Sequence, residues 1–427
     1  MRIAPGWPLV LLLSAGAVVA YMDRLILSVL FVPLSHDLSL SDTQVSVLQG
    51  SSFAFVYALA GLPLGLIADR FNRRNIIIAG IFIWCGATIA GGFATGFVSL
   101  AITRILTGLG EAALFPAATS MIGDSISRQH RGLALSTFAM GQMLGGGAAV
   151  AVGGWLLDLA QGHRFDAVPV LRHLPAWGMV LVLIGLPGVP LLLALATVRE
   201  PPRHERASQS SPQVRSNLME LASRWRTVLP FYLVLACAAI SDFSIGAWTP
   251  TLLYRRFGWP PTQIGLWFGG CLILSGLVAA LFAGIVSDWA RSQRGREGAV
   301  RWALISAAGA LVFTSYALLP SHHILLAALF TQSVCSSICS LICLIAIQMT
   351  LPNELRGLGS AFVSLGNMLL GLGCGPTLVA LVTEHIYRGP EWLNLSIVTV
   401  TAAAFAAAVL LLAAMARGAR AGALQTR

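Results

Sequence analysis

Lysine is absent from this 427-residue chain, and charged residues of any kind make up only 10% of it, against 56% apolar residues. So little charge excludes an ordinary soluble domain, and so much apolar surface excludes a disordered chain. The seven cysteines (Cys85, Cys237, Cys271, Cys335, Cys339, Cys343, Cys374) all fall inside apolar runs. That excludes a disulfide framework and fits no zinc pattern. Cys335, Cys339 and Cys343, at i, i+4 and i+8, read as small residues that let helices pack closely. No metal-ligand cluster and no nucleophile–base constellation is apparent, so neither a metal, a cofactor nor an enzyme activity is expected. The longest gap between apolar runs extends from about Arg199 to Arg226, which leaves no room for a soluble domain.

What remains is a series of runs long enough to cross a bilayer core, which takes about 20 apolar residues as a helix. Twelve are counted, from roughly 8–32 at the start to roughly 393–416 at the end. The first run continues past Asp23-Arg24 to Val32, so it reads as a span and not as a cleaved leader. Because lysine is missing, arginine alone reports topology. Twenty arginines fall in loops on the side of the two termini. Five (Arg164, Arg172, Arg255, Arg256 and Arg388) fall on the other. The positive-inside rule then places both termini in the cytoplasm. The formal net charge of +10 is therefore topology and not a nucleic-acid footprint.

The chain also matches itself. Shifted by 219 residues, Asp23 falls on Asp242, Thr43-Gln44-Val45 on Thr262-Gln263-Ile264, Gly50 on Gly269, Gly65 on Gly284 and Asp69 on Asp288. At a shift of 225, Arg131-Gly132-Leu133 falls on Arg356-Gly357-Leu358 and Gly141-Gln142-Met143-Leu144 on Gly366-Asn367-Met368-Leu369. The expected fold is an all-α integral membrane protein of twelve helices in two pseudo-symmetric six-helix bundles. Residues 1–198 form the first bundle, 199–226 a cytoplasmic linker and 227–427 the second bundle. Parallel repeats of this kind are a transporter architecture, with the solute site between them near the bilayer midplane. Helix starts differ between the repeats: Ser41-Asp42-Thr43-Gln44 is a capping box, whereas its partner opens on Pro260-Pro261.

Five ionisable side chains lie well inside the spans: Asp23, Arg24, Arg104, Glu111 and Asp242. Each costs roughly 2.5–3.5 kcal/mol near a helix centre unless it pairs, neutralises or meets water, and such residues read as functional by default. Arg104, Gly108 and Glu111 share one face of the fourth run at i, i+4 and i+7. Asp23 and Arg24 point about 100° apart and make poor partners for each other. With runs one and four antiparallel, two cross-helix pairs are feasible, Asp23 with Arg104 and Arg24 with Glu111. A carboxylate beside an arginine is ionised, and one in an apolar pocket holds its proton. Alternation between those surroundings is a physical route to proton coupling. The competing reading is that the pairs only fix helix packing, and Asp242 is either functional or a relic of duplication.

Gly65-Leu66-Ile67-Ala68-Asp69-Arg70-Phe71-Asn72-Arg73-Arg74 resembles the signature of the major facilitator superfamily, with Asn72 in place of the usual Gly. Gly284–Asp288 is a weaker second copy, and Arg104-x-x-x-Gly108-x-Gly110-Glu111-Ala112 resembles a second signature. Tyr21-Met22-Asp23-Arg24, Leu40-Ser41-Asp42-Thr43-Gln44 and Gly108-Leu109-Gly110-Glu111-Ala112 are similar to the bacterial branch of its spinster family. The Asp-Arg pair and the Gly-Glu-Ala stretch also occur in organic-anion symporters of the superfamily. Run five lacks the Gly-Pro of drug–proton antiporters, which lowers the multidrug-efflux reading. The resemblance implies a transporter of the bacterial inner membrane. It would move a small amphipathic or anionic solute, with lysolipid-like solutes among the candidates, by alternating access. Asp23, Arg24, Arg104, Glu111 and Asp242 would bind solute or couple protons, with no other cofactor. It further implies a cytoplasmic gate at Gly65, Asp69, Arg70, Arg73, Arg74 and Asp288. Membrane lipids and the solute are the expected partners, nucleic acid is not, and a monomer is expected. An uncoupled facilitator and a non-transporting membrane receptor are the alternatives.

Overall fold

A computed structural model describes residues 6–127, 129–165, 167–203 and 219–425. Side chains at 62, 280, 283–296, 353–354 and 418–425 lie outside that description, and with them the Asp288 side chain expected at the gate. Among the described residues there is no strand. Among these residues eleven helices are long and apolar enough to cross a membrane, and twelve are counted when Asp42–Gly61 and Pro63–Arg70, bent by 41°, are taken as one span. The bend sits where Pro63 removes a backbone N–H from the helix ladder.

Local chemistry explains where the helices begin. The Ser41 hydroxyl accepts from the Gln44 amide at 3.1 Å, and the Gln44 side chain accepts from the Ser41 amide at 3.0 Å. This is the capping box expected from the sequence. Asn72, the departure from the superfamily signature, has a role of its own. Its Oδ1 accepts from the Asn75 amide at 2.9 Å and caps helix Arg73–Gly91. The repeat partner of Ser41 is different in kind. Pro261 opens helix Pro261–Ile264, and the carboxylate of Asp158, from helix Arg131–Gln161, accepts from the Thr262 amide at 2.9 Å. A cap made locally in one repeat is thus supplied by another helix in the other.

The second matched stretch keeps its geometry. Arg131 Nε donates to the Ile126 carbonyl and Arg356 Nε to the Leu351 carbonyl, each at 3.3 Å and each five residues back. Both guanidinium groups satisfy carbonyls left open at the end of the preceding helix. One boundary departs from expectation. The sequence places a loop between runs eight and nine, but the backbone stays helical throughout Gly270–Phe313.

By contacts the chain falls into two compact units. The first comprises Met1–Arg206 with Thr249–Ile273, and the second Ala207–Trp248 with Leu274–Arg427. In the first, the core is built from Val10, Leu13, Ile77, Trp84, Met121 and Phe138 among others. Helices Trp7–Leu25 and Arg131–Gln161 approach so closely that a Cβ at Gly145 would stand 2.5 Å from the Val18 carbonyl oxygen. In the second, Phe231, Ala303, Cys339, Cys343 and Phe405 form the core. The Trp248 indole donates to the Pro376 carbonyl at 2.8 Å. Cys339 and Cys343 pack inside this core, and Cys237 and Cys335 pack against it.

Gly145 provides a direct test of the tight helix contact. Gly145→Val should lower the unfolding temperature in detergent, with a cost of about 1–3 kcal/mol for overpacking, while Gly146→Ala, one position away, changes it little.

Candidate functional site

Helix Phe97–Glu111 is amphipathic in an unusual sense: its buried face carries Arg104, Thr107, Gly108 and Glu111. Opposite it, helix Trp7–Leu25 buries Asp23 and Arg24 near its end. All four ionisable groups are at most 3% exposed. Both feasible pairs form. Arg24 Nη2 lies 2.7 Å from Glu111 Oε2 and Arg24 Nε 3.2 Å from the same oxygen. Arg104 Nη1 lies 3.2 Å from Asp23 Oδ1. Two cations and two carboxylates thus neutralise one another, which is what burial of four charges requires.

Close backbone packing makes this geometry possible. A Cβ at Gly108 would stand 2.6 Å from the Phe53 carbonyl oxygen, and one at Gly110 would stand 2.7 Å from the Gly80 carbonyl oxygen. Glycine at both positions lets the fourth span lie against the second and third, so the charges reach across to span one. Aromatic rings then enclose the guanidinium of Arg24, with centroids of Tyr21, Phe53 and Tyr57 at 4.4, 4.9 and 4.8 Å. Each such contact is worth about 0.5–2 kcal/mol. Phe53 also lies 5.4 Å from the guanidinium of Arg104, so one ring serves both cations. The Thr88 hydroxyl donates to the Asp23 carboxylate. Thr88, Tyr21, Phe53 and Tyr57 were not singled out from sequence. The spacing of Phe53 and Tyr57 at i, i+4 was the available signal.

The cluster is not saturated. Among the described residues, Arg104 Nε and Nη2, Glu111 Oε1, Gln49 Oε1 and Trp84 Nε1 are buried without hydrogen-bond partners. Buried polar groups are rarely left so, and their concentration around one charge cluster marks a place where other atoms can bind. Arg104 presents its Nε–Nη2 edge, the fork that fits a carboxylate or phosphate, whereas Arg24 has that edge on Glu111.

Asp242 does not reproduce Asp23. It is exposed and accepts from the Ser336 hydroxyl at 2.7 Å. Position 243, which corresponds to Arg24, is Phe. Unit two therefore carries a carboxylate–hydroxyl pair where unit one carries two ion pairs.

The signature loop is also different from the expectation in detail. Arg73 is its buried member, at 1% exposure. Its guanidinium pairs with Asp124, donates to Glu200 Oε1 at 2.7 Å and to Ser120 Oγ at 3.0 Å, and reaches the Pro201 carbonyl at 2.8 Å. The Glu200 carboxylate also accepts from the Arg74 amide at 3.0 Å. Arg203 donates to the carbonyls of Ala68, Asp69 and Phe71, which ends helix Ser51–Arg70. The side chains of Asp69 and Arg70 are exposed, and among the described residues they form no hydrogen bond or ion pair. Gly65 is half-buried, 3.8 Å from Pro116 as measured from an added Cβ. The residues that sequence reasoning passed over here are Asp124, Glu200 and Arg203. Among the described residues, no group of three His, Cys, Asp or Glu side chains is placed to hold a metal ion.

An all-helical protein with eleven or twelve membrane-length helices is the class this fold defines among the described residues. The family profile of the Major Facilitator Superfamily matches residues 13–296 and 231–424, and the chain belongs to that superfamily. Its fold is similar to the crystal structure of a bacterial homolog to the human lysosomal transporter Spinster, in an inward-facing and unoccupied conformation. The TM-score is 0.76 at 22% identity, over 96% of this chain and 95% of that one. The D-xylose–proton symporter gives 0.66 at 16% identity, over 93% and 96%. Among relatives, an MFS-type efflux pump of Mycolicibacterium smegmatis is 28% identical over 66% of this chain and 62% of its own length. The sphingosine-1-phosphate transporter SPNS2 of Xenopus tropicalis is 26% identical, over 67% and 55%. The probable galactarate/D-glucarate transporter GudP of Bacillus subtilis is also 26% identical, over 66% and 64%. The chain thus spans less than two thirds of these relatives' own lengths.

The ion pairs predict a non-additive pattern. Arg24→Ala leaves Glu111 buried without its cation and should cost about 3–5 kcal/mol. Arg24→Ala with Glu111→Ala should cost clearly less than the two single losses together, read from thermal or denaturant unfolding in the same detergent.

Proposed function

We propose that this protein is a proton-coupled secondary transporter that moves a small amphipathic or anionic solute by alternating access. The observation that carries this reading is the buried cluster of Asp23, Arg24, Arg104 and Glu111, neutral overall yet left with free donors and a free acceptor. A cluster built only for packing would leave no such groups, since each buried unsatisfied group costs about 1–3 kcal/mol.

In this mechanism the anionic group of the solute meets the free edge of Arg104. Its arrival competes with Asp23 for that guanidinium, and a carboxylate deprived of its arginine takes up a proton more readily. Glu111 stands in the same relation to Arg24. Solute and proton are thereby linked through shared cations, with no cofactor. In the second unit, Asp242 with its Ser336 hydrogen bond is a further solute or proton group. The clasp of Arg73 with Asp124 and Glu200 forms part of a cytoplasmic gate, together with the exposed Asp69, Arg70 and Arg74. The arginine distribution supports a cytoplasmic-membrane protein with both termini inside, and the working unit is a monomer.

Two solute classes are supported by relatives of equal identity: sphingosine phosphates, by the SPNS2 proteins, and sugar acids, by GudP. Both present an anion to an arginine fork. The lipid-like reading is preferred, because the half-buried rings of Tyr21 and Tyr57 beside the cations offer an apolar surface to a chain. Thermal unfolding against a panel of lysophospholipids, sphingoid phosphates, small organic acids, sugars and cationic drugs separates the two. A ligand at a hundred times its dissociation constant adds about 2.7 kcal/mol, and stabilisation by small acids alone would overturn the lipid-like reading.

Coupling has its own test in proteoliposomes. Glu111→Gln should abolish the dependence of transport on the proton gradient while solute binding is largely retained. Unaltered gradient dependence in this variant rejects the proton assignment.

A further inference from the structure

At the end of unit one opposite the Arg73 clasp lies a cavity of about 260 Å³. Its walls come from three stretches: Ser28–Asp37 of the first span, Leu157 and Gln161 of the fifth, and residues between Pro250 and Ile264. None of its lining residues belongs to the charge cluster. Its size lies just below the range of about 300–1,000 Å³ usual for small-molecule pockets.

The lining has a defined chemistry. Val29, Val32, Leu157 and Ile264 supply apolar walls, and Asp37 supplies the carboxylate. That carboxylate is held in place, since the indole Nε1 of Trp177, itself 1% exposed, donates to Asp37 Oδ2 at 3.1 Å. Thr251, also 1% exposed, lines the cavity, and its hydroxyl has no partner among the described residues. His36 Nδ1 lies 3.2 Å from Asp37 Oδ1, and Tyr254, Gln161 and Ser28, whose hydroxyl donates to the Leu25 carbonyl, complete the polar groups. No arginine is in the lining. The nearby cation of Arg255 is neutralised by a two-pronged pair with Asp42, at 2.9 Å for each prong. An acceptor held by Trp177, an unpartnered hydroxyl and apolar walls that carry no arginine fit an ammonium donor on a short apolar tail, and disfavour an anion.

We propose that this cavity is a second small-molecule site, distinct from the charge cluster, that takes a compact amphiphilic amine. Its occupant touches the first-span stretch, the fifth span and the 250–264 stretch, and that last stretch is tied to helix Asp42–Gln49 by Asp42–Arg255 and to helix Arg131–Gln161 by Asp158 on the Thr262 amide. A ligand that contacts all three stabilises the state in which they are held together, because its affinity is higher there. The site therefore acts on the transport cycle without carrying the solute.

The test is thermal unfolding of the full-length protein in detergent, titrated with n-hexylamine and with hexanoate. Hexylamine should give a saturable rise in Tm in wild type and equally in Glu111→Gln. Asp37→Asn, which keeps an acceptor for Trp177, should weaken it at least about tenfold, and Ile264→Trp, which fills the cavity, should abolish it. Hexanoate should give no saturable shift. The proposal is overturned if hexylamine has no saturable effect, or if hexanoate matches it. It is equally overturned if both cavity variants respond like wild type, or if the response vanishes in Glu111→Gln while the cavity variants keep it, which would assign the amine to the charge cluster. The outcome is independent of whether Glu111 couples protons.

Discussion

Four charges placed where water is scarce constrain everything around them. A lone ion in such surroundings is costly, and the cost falls only when an opposite charge sits within hydrogen-bond reach. Arg24 with Glu111 and Arg104 with Asp23 meet that demand, but only because spans one and four come close enough for side chains to meet. That distance is set by backbones in contact at Gly108 and Gly110, where any side chain would collide with a neighbouring carbonyl. The glycines, the charges and the rings around Arg24 therefore form one device, and removal of any member exposes the others to an unfavourable environment.

Duplication preserved some devices and released others. The guanidinium groups of Arg131 and Arg356 each meet the carbonyl five residues back, and Arg356 also donates to the Gln348 carbonyl at 2.9 Å. Such a cap depends on one residue and a local carbonyl, so it survives sequence drift. The paired-charge cluster depends on two helices at once and is not repeated, since Phe243 replaces its first arginine and Asp242 is exposed. The two units have consequently diverged in chemistry while keeping a common helix plan.

Much of the fold was legible because membrane spans announce themselves by length and apolar content, and because the self-match aligned the two halves. The charge pairing was legible for a related reason: i, i+7 spacing puts Arg104 and Glu111 on one face, and antiparallel helices place two opposite charges between them. What escaped was decided by helix rotation and by chain segments distant in sequence. Nothing in the string around Thr88 or Phe53 says which way those side chains point. The gate reading named Arg73 among six residues with nothing to set it apart, but Arg73 is the buried hub, held by Asp124 and by Glu200 from beyond the sixth span. Burial of an arginine is a tertiary fact. The continuous helix at Gly270–Phe313 escaped for a different reason, since its charged stretch has the composition of a loop.

The Arg73 hub shows how the segment after span six bears on the loop between spans two and three. Glu200 accepts from the Arg73 guanidinium and from the Arg74 amide, so one carboxylate neutralises a buried cation and satisfies an open amide at the helix start. Arg203, three residues on, donates to carbonyls at the end of the preceding helix. Two oppositely charged side chains of one short segment thus cap both helices that flank the signature loop, each at the terminus whose dipole it complements. Strain on this segment would be felt first at Arg73, the one cation here with no water to fall back on. A pull on the chain after span six would therefore act on the charges at the base of the third span without passing through the buried cluster.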